Sequence, residues 1–118
     1  MMVIEPESVV SAFREIGMKP IRHRFINDKL DACCALTALA VPLRGEDHVL
    51  KNDRWIADVV PSVLALTEKY WHGFVSGWNG VDPRELCDDH EDTPLSLKAR
   101  SEGEAAWLAC KNEGLVEE

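Results

Sequence analysis

The chain has 118 residues, 46% of them hydrophobic and 29% charged. That is enough for one folded domain with one core, and it is not the composition of a disordered chain. Thirteen basic residues against 21 acidic ones give a formal net charge of -8, which repels phosphate backbones and disfavours general nucleic-acid binding.

Met1–Val10 carries Glu5 and Glu7 and lacks the basic start and apolar stretch of a leader peptide. The longest uncharged apolar run, Ala32–Leu43, is shorter than the ~20 residues that span a bilayer. A cytoplasmic protein without membrane contact is expected, with its cysteines as free thiols. The ends, 1–4 and 114–118, are expected to fray.

Pro6 suits the first turn of a helix and Gly17 its end, with Val9, Val10, Phe13 and Ile16 recurring at helical spacing between them. Met18–Ile26 alternates weakly and contains Pro20. No second strand is evident to pair with it, so it reads as a structured loop. Asn27 or Asp28 can cap a second helix, which Pro42 would end, with Arg44–Asp47 as the turn. Ala32–Val41 contains no charge, so this helix is expected at the centre of the fold.

Asp53 can cap a third helix bearing Trp55, Ile56, Val59, Val60, Val63 and Leu64, which Pro61 should kink or divide. Thr67 can cap a fourth, also central, ending near Asn79–Gly80. On that helix Gly73, Gly77 and Gly80 make one smooth stripe beside Trp71, Phe74, Val75 and Trp78. Each interior glycine costs a helix about 1 kcal/mol relative to alanine, so a close backbone neighbour is expected.

An acidic connection follows, Val81–Asp92, with a helical turn expected around Arg84–Asp88. Thr93–Pro94 then opens a last helix running to about Asn112, whose Gly103 and Ala106 offer the matching smooth surface. The expected fold is all-α: a single-domain bundle of about five helices spanning 1–118.

Two stretches together, Cys33-Cys34-Ala35-Leu36-Thr37-Ala38-Leu39-Ala40 and Tyr70-x-x-Gly73-Phe74-x-x-Gly77-Trp78-x-Gly80, carry a resemblance, which Gly103–Trp107 extends. The chain resembles small all-helical bacterial and phage proteins of unassigned function. The resemblance implies a helical fold and transfers no catalytic residue.

Charge is segregated. Lys19, Arg22, Arg24 and Lys29 stand against Asp28, while Asp82, Glu85, Asp88, Asp89, Glu91 and Asp92 stand against Arg84. The two stretches either meet within the fold, face solvent, or leave the acidic one to bind a partner. Cys87-x-x-His90 is half of a zinc site that His72, His23 or the Cys33–Cys34 pair could complete, against the simpler reading of exposed loop residues. The acidic run is no EF-hand, for it has no glycine at the turn. Cys33 and Cys34, placed past the first turn of a helix capped at Asn27, are expected as buried thiols with raised pKa.

Trp71, at the edge of its stripe, is the expected exposed anchor among the four tryptophans. The leading functional expectation is a nonenzymatic binding domain of inhibitor, immunity or adaptor type. It would meet a basic protein surface through Asp88, Asp89, Glu91, Asp92 and Trp71 and need no cofactor. The alternative is a zinc-binding or thiol-dependent protein using Cys87, His90 and His72. A homo-oligomer packed through its glycine stripes is a third expectation.

Overall fold

At Gly77 and Gly103 the backbones of two helices approach closely, and those helices organise the rest. The computed structural model describes residues 4–50, 56–82, 84 and 93–116. Among the described residues, six helices run in the order α1 (Pro6–Ile16), α2 (Ala35–Arg44), α3 (Glu46–Leu50), α4 (Ile56–Val63), α5 (Glu68–Asn79) and α6 (Pro94–Asn112). Strands β1 (Lys19–Pro20) and β2 (Ala32–Cys33) lie between α1 and α2. The radius of gyration is 13.1 Å. Among the described residues, no helix is long and apolar enough to cross a membrane.

The helix ends that local chemistry dictates are where the sequence places them. Pro6 opens α1, and Gly17 closes it at φ 70°, donating its N–H to Phe13. The Thr67 hydroxyl accepts from the Tyr70 amide at α5, and Gly80 ends that helix at φ 71°. Thr93 and Ser96 cap α6 reciprocally.

The packing of α5 on α6 explains its glycines. A methyl built on Gly77 would lie 1.9 Å from the Arg100 carbonyl oxygen; one on Gly103 would lie 2.0 Å from that of Phe74. Gly73 faces Ser96 and Ala99 in the same way. These contacts advance in the same order along both helices, which therefore run in the same general sense and cannot be joined by a tight turn. The acidic stretch is the long connection that this arrangement requires. Trp78, fully buried, stacks on Phe13 of α1 at 6.0 Å and meets Trp107 of α6 edge to face at 5.0 Å. From His72 to Asn79 every residue of α5 is buried, as is most of α2.

Residues 18–47 correct several expectations. The 18–26 stretch does find a strand partner: β1 pairs in parallel with β2, and Ile26 bridges Cys33 from the other side. Neither Asn27 nor Asp28 caps α2. The Asn27 side chain accepts from the Asp31 and Ala32 amides and donates to the Asp31 carboxylate, closing a turn of its own. That turn holds 31–33 extended, and α2 begins at Ala35 with Cys34 as its N-cap.

Pro42 does not end α2, which runs on to Arg44 before Gly45 turns the chain at φ 85°. Beyond it the expected turn is the short helix α3. Pro61 likewise lies within α4, which closes a turn later where Ala65 takes a left-handed φ of 54°. In both helices, buried neighbours (Val41; Val59 and Val60) offset the one hydrogen bond a proline forgoes. The expected cap at Asp53 lies outside the described residues. At the two ends, Ile4 is buried, and Leu115 and Val116 pack against the core.

Candidate functional site

The basic segment 19–29 meets the C-terminal end of α5, where four carbonyls have no helical partner. Arg22 Nε donates to the Trp78 carbonyl at 2.8 Å, and the guanidinium lies 4.2 Å from the centre of the Trp107 ring. Burial lowers the Arg22 pKa, and the charge of Glu104 partly restores it. Trp78 Nε1 donates back to the Ile21 carbonyl at 2.7 Å, and Asn79 Oδ1 accepts from the His23 amide at 2.8 Å. His23 holds φ 71°, so these bonds fasten a strained backbone to the helix end. Arg22 is a clamp at the negative end of a helix dipole.

Lys19, Arg24 and Lys29 line an open cavity of about 650 Å³ between residues 17 and 32. Asp28 and Asp31 line it as well, and Arg24 is bonded to Asp28 at 2.9 Å. The cavity wall thus cancels most of its own charge.

Cys33 and Cys34 are buried, and so is Cys110. Sequence reasoning set Cys34 beyond the reach of the helix dipole; it is instead the N-cap of α2, with Sγ 3.5 Å from Thr37 Oγ1. Burial still dominates: it raises the Cys34 thiol against the hydrogen bonds that favour thiolate. Cys33 is raised by burial and by its neighbour, and Cys110 is pushed up to about 12 by burial. These thiols are protonated packing groups at neutral pH.

Tyr70, buried in α5, donates its hydroxyl to Glu102 Oε2 of α6 at 2.6 Å. Burial, then the Glu102 bond and charge, raise the Tyr70 phenol. The other Glu102 oxygen is buried and has no hydrogen-bond partner among the described residues.

Trp71 is half-buried, edge to face with Phe25 at 6.1 Å and against His72 at 4.1 Å. His72 is 8% exposed, with Nε2 3.9 Å from Glu68 Oε1. Cys87, Asp88, Asp89, His90, Glu91 and Asp92 lie outside the described residues, as does most of the expected turn at 84–88. At the start of that connection Asp82 is exposed and accepts from the Arg84 amide, a bond that lowers its pKa. Among the described residues, no three His, Cys, Asp or Glu side chains group closely enough to hold a metal ion.

Sequence reasoning passed over the outer face of α1. Glu7, Ser8, Ser11 and Glu15 line a groove of about 400 Å³ between α1 and α2, with Ala12, Leu39 and Pro42 beneath. The signal was the spacing of Glu7, Ser11 and Glu15 on one helix face. No family model, curated protein or solved structure matches the chain.

Proposed function

We propose that the chain is a nonenzymatic protein-binding domain whose acidic connection, Asp82–Asp92, engages a basic surface on a larger protein in the cytoplasm. The observation that carries this reading is charge segregation: six carboxylates against Arg84 in one connection, on a chain of net charge -8. The helices on either side of that connection meet backbone to backbone, which gives it a firm base. The cations that could neutralise it are committed in part elsewhere, Arg14 to Glu113, Arg22 to Trp107 and Arg24 to Asp28. A negative surface of this kind steers encounter with a positive partner and makes the rate sensitive to salt.

The test is capture from host lysate on the immobilised chain, identification by mass spectrometry, and reconstitution with the purified partner. The variant D88K/D89K/E91K/D92K is expected to lose the partner while keeping its circular dichroism spectrum. Equal capture by that variant would refute the assignment.

A further inference from the structure

The groove between α1 and α2 differs in character from the cavity at 17–32. Its two charged residues, Glu7 and Glu15, are both acidic, and its floor of Ala12, Leu39 and Pro42 is apolar. Leu43, which follows Pro42 in the chain, is 59% exposed, more than any other large apolar side chain among the described residues. The sole cation of α1, Arg14, is not part of the lining and pairs with Glu113 of α6 at 2.9 Å. Arg44 follows at the end of α2 and is not part of the lining. An apolar lining flanked by carboxylates is a surface for an amphipathic cation.

We propose that this groove docks a basic amphipathic helix of a partner protein. The proposal goes beyond the acidic connection and stands or falls without it. Glu7 and Glu15 are eight residues apart, which is about 12 Å along the axis of α1. A helix with cations seven or eight residues apart spans the same distance in two turns, so one such edge can pair with both carboxylates. Apolar residues between those cations then lie over Ala12, Leu39 and Pro42, with the exposed Leu43 one turn beyond Leu39 on α2. Ser8 and Ser11 keep the α1 rim low, which lets a second helix approach closely.

The rim excludes anions, including nucleic acid and acidic lipid. A second copy of this chain brings the same net charge of -8 and fits poorly, since two cations of its basic segment are engaged with Trp107 and Asp28.

The experiment titrates the isotope-labelled chain with a synthetic leucine–alanine–lysine amphipathic helix whose lysines are spaced two turns apart along one edge. Amide shifts are expected to concentrate on Glu7–Glu15 and Leu39–Leu43. The exposed-site variants E7K/E15K are expected to weaken binding at least about tenfold without changing the fold, and Leu43→Ala to weaken it further. Shifts confined to the acidic connection, with E7K/E15K binding unchanged, would overturn the groove while favouring the preceding reading. Scattered shifts, no saturable binding, or self-association through this face by light scattering would also overturn it.

Discussion

Replacing Gly77 by alanine sets two well-defined effects against each other. Alanine stabilises a helix interior by about 1 kcal/mol over glycine. Here, however, the added methyl would lie 1.9 Å from the Arg100 carbonyl oxygen and 2.8 Å from its carbon, while ordinary contact begins at 3.4 Å. Relief requires α5 and α6 to part by roughly 1.5 Å, beyond the gap at which dispersion contacts lose up to half their depth. Overpacking of this kind costs about 1–3 kcal/mol, and loosening the Trp78–Trp107 pair adds about 0.5–1.5 kcal/mol.

The steric terms win, for a net loss of about 0.5–3.5 kcal/mol and a fall in Tm of roughly 2–14 °C. Thermal and urea unfolding followed by circular dichroism measure this directly. Gly103→Ala, facing the Phe74 carbonyl at 2.0 Å, is expected to cost a similar amount. The double variant should cost less than the sum, because the first methyl has already parted the helices. A Gly77→Ala protein as stable as the parent, or more so, would refute the close approach.

Alkaline pH provides a second test. Burial holds Cys33, Cys34, Cys110 and Tyr70 protonated, so their pKa values are higher folded than unfolded. Their contribution is complete below the unfolded thiol value of about 8.5 and declines as pH rises from there towards the folded value. Each thiol ionised only in the unfolded chain removes about 1.4 kcal/mol per pH unit. Urea midpoints in reductant at neutral pH and at about pH 10 should fall steeply, and equal midpoints would contradict the burial. At the helix end, Arg22→Ala should cost about 1–3 kcal/mol through loss of the Trp107 stack and the Trp78 carbonyl bond. Arg22→Lys should fail to restore it, since an ammonium lacks the planar face; full restoration in urea unfolding would refute the clamp.

What was legible in the sequence was local. Pro6, Gly17, Thr67, Thr93 and Gly80 each act within a few residues of themselves, and the helix ends follow from them. Gly73, Gly77 and Gly103 were legible because two separate helices both carry the mark of a missing side chain. Residues 27–34 were not. Asn27 can cap a helix or close a turn with equal chemistry, and the choice is made by the pairing of β2 with β1, which no short window contains. Pro42 misled for a related reason: the burial that carries α2 through its proline comes from distant segments. Pro61 lies inside its helix as expected and does not divide α4.

The candidate sites divide in the same way. His72 and Trp71 lie on the helix expected for them, but their neighbour Phe25 comes from another segment. The α1–α2 groove exists only once two helices face each other; the spacing of Glu7, Ser11 and Glu15 marks one face of α1 but not the Leu39 and Pro42 that meet it.

An interface built from main chain has few half-measures. Side chains that interdigitate can slacken and still touch, whereas main-chain atoms in van der Waals contact leave nothing to fill the space once separated. Water would enter at the first opening, and two glycine-bearing helices deprived of their neighbour lose the packing that offsets their poor intrinsic helicity. Helicity and tertiary order in α5 and α6 are therefore expected to disappear in one step, without a dye-binding, helix-rich intermediate.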